Sequence, residues 1–291
     1  MTERMIDVDG VQLCTEPFGD PADPPILLVM GLGASMLWWD ERLCRMLAGG
    51  GRFVIRYDHR DTGRSRSSAP GHPDYRGADL VTDAAGVLDA YRLRTAHVVG
   101  VSAGGAIGQV LALEHPERVL SLVLISTSPA VAVDRDLPPP TTAFTRFAAG
   151  ATVDWSARAS VVEHLLGWSR LLSGGTRPFD EAACRDLLRR DVERAASLAS
   201  LQNHDLMAYD DQEPPAPLSS IAVPTAVVHG TADPMFPPEH GRTLADVIPG
   251  ATLLLLDGAG HGVDRADWQT IVPVILRHTA TPVPWPGGPA T

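Results

Sequence analysis

The stretch His97-Val98-Val99-Gly100-Val101-Ser102-Ala103-Gly104-Gly105-Ala106 decides the fold of this chain. An apolar run typical of a strand ends at Val101, meets the pattern Gly-x-Ser-x-Gly, and is followed by a helical sequence. The glycines at 100 and 104 leave no side chains where the strand must turn abruptly into the helix. The sequence therefore predicts a nucleophile elbow, with Ser102 in a strained conformation and the free N–H groups of the helix start behind its hydroxyl.

Strand and helix patterns alternate on both sides of the elbow. Continuous apolar runs are typical of parallel strands that are buried on both faces, so the alternation predicts an α/β fold with a mostly parallel central sheet flanked by helices. The predicted strands are 11–18, 26–30, 53–57, 96–101, 119–125, 225–229 and 251–256, and the helices between them are 38–48, 78–93, 103–115, 238–248 and 268–278.

The alternation breaks between 129 and 217. This segment contains no obvious strand, and proline clusters lie at its two ends. Four helical patterns are recognisable, at 142–149, 159–172, 180–199 and 201–209. The predicted organisation is therefore an α/β core of 1–128 and 218–280, an inserted helical lid of 129–217, and a flexible proline-rich tail of 281–291.

Composition excludes several classes of partner. The net charge is −11 and every basic residue is an arginine, with no basic stripe, so a nucleic-acid partner is not expected. No segment approaches the roughly 20 apolar residues that span a bilayer, and the first residues lack the apolar core of a signal peptide. The three cysteines are widely spaced, which argues against a disulfide framework or a zinc site. We expect a cytoplasmic protein without a metal or membrane partner, and the oligomeric state stays open.

The elbow serine needs a histidine base that lies on a loop at the carboxyl end of a strand. His261 meets this requirement, because it follows the predicted strand 251–256 within Gly258-Ala-Gly-His-Gly262. His59 is the closest competitor, since its loop also leaves a strand end. We predict that His261 is the base.

The base in turn needs a carboxylate on a neighbouring loop. Asp233 follows the predicted strand 225–229, whereas Asp257 is nearer to His261 in sequence but sits at a strand terminus with little freedom to fold back. The order Ser102, Asp233, His261 is the order found in α/β-hydrolases. We predict that Asp233 orients the imidazole.

Two backbone N–H groups should hold the oxyanion that forms during the reaction. One is predicted at Ala103, directly after the nucleophile, and the other at Leu32, in the loop that follows the strand 26–30. Gly31 in the same loop is expected to border the substrate.

The substrate pocket is predicted between this loop and the lid. Trp38 and Trp39 follow the loop and are the strongest pocket candidates. Apolar lid residues either line the pocket or pack the lid helices, and the sequence leaves both readings open: Phe144, Phe147, Trp155, Leu165, Leu166, Trp168 and Met207. Of these we select Phe144, Trp168 and Met207 as substrate-binding. For His204 in the lid we expect a position at the surface, with contact to substrate as the alternative.

With these residues in place, the chain resembles the α/β-hydrolase superfamily over nearly its whole length. The segments 100–104, 223–234 and 258–261 carry the resemblance, and the loop 58–65 is similar to the loops that brace the active-site face of this superfamily. From that resemblance we take Arg60 and Asp61 as structural.

A closer similarity is to the aclacinomycin (anthracycline) methylesterase family, in the segments 18–24, 27–31, 54–65 and 96–100. Two departures alter the pocket wall: Ala103 stands where that family has Met, and Met30-Gly31-Leu32 where it has Met-Gly-Gly. The resemblance implies a serine hydrolase that cleaves the carbomethoxy group of an anthracycline-type aromatic polyketide without a cofactor. The alternatives are a general carboxylesterase, a C–C bond hydrolase, or a non-catalytic ligand-binding homologue.

Overall fold

The computed structural model describes residues 2–150, 152–207 and 216–280, and within them one eight-stranded sheet forms the centre of the molecule. The strands lie in the order β1-β2-β4-β3-β5-β6-β7-β8. The two N-terminal strands are antiparallel to their neighbours and the other six run parallel, which confirms the predicted fold class. The strands are β1 (Arg4–Val8), β2 (Val11–Phe18), β3 (Pro25–Val29), β4 (Phe53–Tyr57), β5 (Ala96–Val101), β6 (Val119–Ile125), β7 (Thr225–Gly230) and β8 (Thr252–Leu256).

Nine α-helices lie within the described residues, five of them against the sheet. They are α1 (Glu41–Gly49), α2 (Gly77–Ala90), α3 (Ala103–Glu114), α4 (Thr142–Gly150), α5 (Arg158–Leu172), α6 (Glu181–Arg194), α7 (Asn203–Leu206), α8 (Glu239–Val247) and α9 (Trp268–His278). Helices α1 and α9 contribute to the apolar cluster on one face of the sheet, and α2, α3 and α8 contribute to the cluster on the other face.

Strand β3 shows why the parallel strands have continuous apolar sequences. Ile26 and Leu28 pack into the cluster with α1 and α9, and Leu27 and Val29 pack into the opposite cluster. Successive side chains of a strand point to opposite faces, so a strand with a helix layer on each face is apolar at most of its positions.

Strand β1 was not predicted. It pairs with β2 through a two-residue turn at Asp9 and Gly10, which have φ of 49° and 86°. This turn of type I′ favours an Asp-Gly sequence, because both central residues need positive φ. The sequence of β1 does not contain the continuous apolar run of a buried strand, because most of its residues are exposed or only partly buried.

Some predicted helix bounds were wrong. In place of the predicted helix 38–48, the structure has a short 3₁₀ turn at Met36–Trp38 and then α1, which begins at Glu41. The helix begins later than predicted because the Asp40 side chain accepts a hydrogen bond from Arg42 N and thereby caps its N-terminus. The predicted helix 180–199 ends early, at Arg194. Its chain becomes extended at Ala195, and Ala196 N donates to Gly63 O on the core at 2.7 Å.

The segment between β6 and β7 adds helices and no strand within its described part. Helices α5 and α6 enclose a third apolar cluster, which contains Val161, Leu166 and Leu188 and against which Trp38 packs. The predicted tail 281–291 and the end of the predicted helix 201–209 lie outside the described residues. None of the helices that are described has the length and apolar character needed to cross a bilayer.

Candidate active site

Ser102 stands at the junction of β5 and α3 in a conformation that non-glycine residues rarely adopt, with φ of 54° and ψ of −125°. A Cβ atom at position 100 would collide with Gly104 O, and one at 104 would collide with Val29 O on the neighbouring strand. Both positions therefore require glycine, because the neighbouring backbone lies too close for any side chain. The geometry is that of the predicted elbow.

Asp233 and His261 meet above the carboxyl ends of β7 and β8. His261 Nδ1 lies 2.8 Å from Asp233 Oδ2, and the other carboxylate oxygen accepts hydrogen bonds from Met235 N and Phe236 N, each at 2.9 Å. Burial works to raise the pKa of the Asp233 carboxyl, but the charge and hydrogen bond of His261 and the backbone donors outweigh it and lower that pKa. An ionised carboxylate thus fixes Nδ1–H of the imidazole and leaves Nε2 to act as an acceptor.

Ser102 and His261 line the same cavity, on the same side of the sheet. The His261 loop is held there by hydrogen bonds from His261 N to Leu172 O at 2.7 Å and from Gly262 N to Ser126 Oγ at 3.1 Å. Within the described residues no hydrogen bond joins the Ser102 hydroxyl to His261. Such pairs are often loose in unliganded sites and shorten when substrate binds.

The two competing residues have other roles. The carboxylate of Asp257 is exposed, and its contact is Thr231 Oγ1 at 3.5 Å rather than His261. His59 is fully buried, and its Nε2 donates to Met30 O at 2.8 Å. Neither residue lines the cavity.

The two predicted oxyanion donors are next to the serine. A Cβ atom at Gly31 would lie 3.2 Å from Ser102 Cβ and 3.7 Å from its Oγ, which places the loop after β3 against the nucleophile. Among the described residues, neither Leu32 N nor Ala103 N donates to a protein acceptor. Both N–H groups are therefore available to a bound oxygen.

The cavity has a volume of about 2160 Å³ and lies between the core and helices α4 to α7. Aromatic rings form part of its wall; the centroids of Phe144 and Trp168 are 4.9 Å apart. Trp39 borders the cavity but its side chain is fully buried in the core cluster, so it exposes no surface to a ligand. All six predicted substrate-binding residues border this cavity: Gly31, Trp38, Trp39, Phe144, Trp168 and Met207.

Trp38 is fixed by an acid of the helical segment. Its Nε1 donates to Asp191 Oδ2 at 2.8 Å, and Asp191 is almost fully buried. Burial raises the pKa of the Asp191 carboxyl, although its hydrogen bonds to Ser35 and Trp38 oppose this effect. Sequence patterns could not predict this pair, because the two residues are far apart along the chain.

Residues of the loop 58–65 act as structural braces, as predicted. Arg60 donates twice to the buried carboxylate of Asp83, at 2.7 and 2.8 Å. Asp61 accepts hydrogen bonds from Tyr75 Oη at 2.9 Å and from Asn203 Nδ2 at 2.8 Å. The loop therefore ties the core to the helical segment.

The expectation for His204 was wrong. Its side chain is buried, with 2 % of its surface exposed, and it contacts the loop that carries Leu32 rather than solvent. Its partners are backbone atoms of distant loops, which leave no pattern in the sequence around it. No group of three or more potential metal-binding side chains is assembled in the described part of the chain.

Comparison with known proteins gives consistent matches. A family model described as alpha/beta hydrolase fold matches residues 24–263. The rhodomycin D methylesterase DauP of Streptomyces sp. (strain C5) is 38% identical over 96% of this chain and 98% of its own length, and DnrP of Streptomyces peucetius, of the same name, is 37% identical with the same coverage. A hydrolase of Pseudomonas aeruginosa PA01 has a similar structure, with a TM-score of 0.71, 27% identity, and coverage of 96% of this chain and 98% of that one.

Proposed function

Because the chain belongs to the α/β-hydrolase fold family, we propose that it is a serine hydrolase that cleaves a carboxylic ester through an acyl-enzyme at Ser102. One observation carries the proposal. A strained serine and an imidazole held by an ionised carboxylate border one cavity, with two free backbone N–H groups beside the serine. That combination serves acyl transfer, in which a nucleophile, a base and an oxyanion site must converge.

The reaction has two halves. In the first, His261 Nε2 takes the Ser102 proton as Oγ attacks the ester carbonyl, and the imidazolium then protonates the departing alcohol. In the second, water attacks the acyl-enzyme with His261 again as base, and the acid product leaves with Ser102 restored. Asp233 keeps the imidazole in the tautomer that can accept this proton and stabilises its cation.

The developing oxyanion binds at Leu32 N–H and Ala103 N–H. These donors are fixed by the loop after β3 and by the start of α3, so they need no reorganisation during the reaction. The mechanism requires neither a metal nor an organic cofactor.

The proposed substrate is the carbomethoxy group of an anthracycline-type aromatic polyketide. The two relatives named rhodomycin D methylesterases are similar over nearly the full length of this chain, including the helical segment that forms the cavity wall. In this proposal the core of 1–128 and 218–280 carries the triad, and 129–217 is a lid that supplies the aromatic surface for a flat ligand.

The chemistry is tested with a p-nitrophenyl ester and a fluorophosphonate probe, which labels only an activated serine. Ser102→Ala and His261→Ala should lower kcat by about 10⁴-fold or more, and Ser102→Ala should abolish labelling. Ser128→Ala is the matched control, because Ser128 borders the same cavity but its hydroxyl is bonded to His240. Near-wild-type turnover in Ser102→Ala would refute the proposal, and absent turnover in the wild type would favour a ligand-binding homologue.

The substrate class is tested by mass spectrometry. Rhodomycin D and other anthracycline methyl esters are incubated with wild-type protein and with Ser102→Ala, and the expected product has lost the methyl group. A further loss of carboxyl would show that decarboxylation follows. Cleavage of a vinylogous diketone in place of the methyl esters would identify a C–C bond hydrolase instead.

A further inference from the structure

The loop that carries the proposed oxyanion donor Leu32 is held at both ends by buried histidines. At its start, Met30 O accepts a hydrogen bond from His59 Nε2 at 2.8 Å. At its end, Gly33 N donates to His204 Nδ1 at 2.7 Å. His59 belongs to the core, whereas His204 belongs to the helical segment. The position of Leu32 between the two contacts is therefore set by both parts of the molecule.

The hydrogen bonds of His204 define its protonation state. Nδ1 accepts from Gly33 N–H, so the single ring proton of a neutral imidazole must be on Nε2, and Nε2 donates to Arg60 O at 2.8 Å. Burial lowers the pKa of this imidazole to about 4, which keeps the ring neutral near pH 7. Both nitrogen atoms of the ring are thus used by backbone groups and none remains for substrate.

The preceding residue, Asn203, holds the His204 backbone in place. Asn203 Nδ2 donates to Asp61 Oδ2 at 2.8 Å, and its Oδ1 accepts from Gly71 N at 2.8 Å. These two contacts fix the start of α7 on the core independently of the His204 side chain, so the imidazole holds the loop from a fixed position.

We propose that His204 is a positioning residue that fixes the Leu32 N–H in the oxyanion hole, so that the helical segment completes the catalytic site of the core. The inference rests on the proposed function. Gly33 has φ of 70°, and among the described residues no atom outside its chain neighbours would lie within 4 Å of a Cβ at this position, so packing on that side does not restrain the glycine. The hydrogen bond to His204 supplies the restraint on this end of the loop.

Replacements at His204 separate its two hydrogen bonds. His204→Asn keeps an acceptor near the Nδ1 position, which faces Gly33 N–H. His204→Gln keeps a donor near the Nε2 position, which faces Arg60 O. His204→Leu removes both. Ser200→Ala is the matched control, because it removes a buried hydrogen bond between the 3₁₀ turn Ala199–Gln202 and the core without contact to the loop or the cavity.

The readouts are kcat and KM for a p-nitrophenyl ester and the inhibition constant of a trifluoromethyl ketone, whose adduct with a serine carries an oxyanion. Loss of a whole oxyanion donor typically costs 10²–10³ in kcat, and a misplaced donor should cost less. We expect His204→Leu and His204→Gln to lower kcat by about 10- to 100-fold with little change in KM. The inhibition constant should rise in parallel. His204→Asn should stay within severalfold of wild type, and Ser200→Ala should match wild type.

Provided that the wild type is active, two outcomes overturn the inference. The first is an unchanged kcat in both His204→Leu and His204→Gln. The second is a rise in KM alone in these variants, which would indicate a structural role of the helical segment. If His204→Leu does not fold, the comparison of His204→Asn with His204→Gln decides, and equal kcat values in these two overturn it. Failure of wild type to turn over ester or to be labelled at Ser102 would instead refute the proposed function.

Discussion

Asp233→Asn changes one atom of the carboxylate and should invert the proton pattern of the imidazole. Asp233 Oδ1 accepts from Met235 N and Phe236 N, each at 2.9 Å. An Asn side chain keeps its oxygen on these two donors, so its NH₂ group takes the position of Oδ2, which lies 2.8 Å from His261 Nδ1. Because the NH₂ group can only donate, His261 Nδ1 must accept and the ring proton moves to Nε2.

The resulting tautomer cannot accept the proton of Ser102. In a serine protease the same change in an equivalent triad lowers kcat by about 10⁴-fold. At 1.36 kcal/mol for each factor of ten, this corresponds to about 5 kcal/mol of lost transition-state stabilisation. The fold should tolerate the change, because the backbone donors to the side chain are still satisfied.

The assay is steady-state hydrolysis of a p-nitrophenyl ester at pH 7.5, with the thermal midpoint measured on the same samples. The matched control is Asp257→Asn, the other carboxylate near His261 in sequence, which is exposed and should stay within about twofold of wild type because surface substitutions are usually small in effect. A large loss in Asp257→Asn together with a near-wild-type rate in Asp233→Asn would refute the assignment of the acid.

Two further predictions concern the fold. Gly104→Ala should prevent folding or destabilise the protein strongly, because its Cβ would collide with the backbone of β3. In Gly108→Ala the Cβ would meet only side-chain atoms, Val98 Cγ1 at 3.2 Å and Leu122 Cδ2 at 3.5 Å, so this variant should remain folded, and thermal melts of the two variants compare them. Burial lowers the pKa of His97 from 6.5 to about 4, so between these pH values the unfolded chain binds a proton at this residue more readily than the folded protein does. The free energy of unfolding should therefore fall as pH drops from 6.5 to 4, by up to about 3 kcal/mol for this group. His97→Asn should reduce that slope in urea denaturation at pH 4.5 and 7.5, and an unchanged slope would contradict the lowered pKa.

The buried strands could be predicted from the sequence with accurate bounds. Strands β4, β5 and β6 have the predicted limits, because a strand covered on both faces is apolar at most positions and therefore stands out from the loops beside it. Single buried polar residues, Arg56, His97 and Ser121, interrupt these strands without ending them. The positions of Asp233 and His261 followed from the same rule, since the carboxyl ends of parallel strands lie at one edge of the sheet.

Strand β1 could have been found from its turn. Asp9-Gly10 between two short segments is a strong local signal for a hairpin, although β1 itself has no apolar run. The early end of α6 could not have been found, because the hydrogen bond from Ala196 N to Gly63 O joins segments more than a hundred residues apart. Local periodicity carries no information about such a partner.

The contacts between the helical segment and the core explain why the position of His204 could not be predicted from the sequence and why its imidazole is held in one orientation. Each contact is a buried polar pair whose members would lose a hydrogen bond or ion-pair partner on separation, at a cost of about 1–3 kcal/mol for an unsatisfied group. The pairs are Asp191 with Trp38, Arg194 with Asp58, Asn203 with Asp61 and His204 with Gly33. The strength of such pairs depends on distance and direction, whereas that of the apolar contacts we propose between a ligand and Phe144 or Trp168 does not. If the proposed roles hold, substitutions in the aromatic wall should change which ester fits while the polar pairs still position the Leu32 N–H, so that specificity and catalysis are separable by mutation.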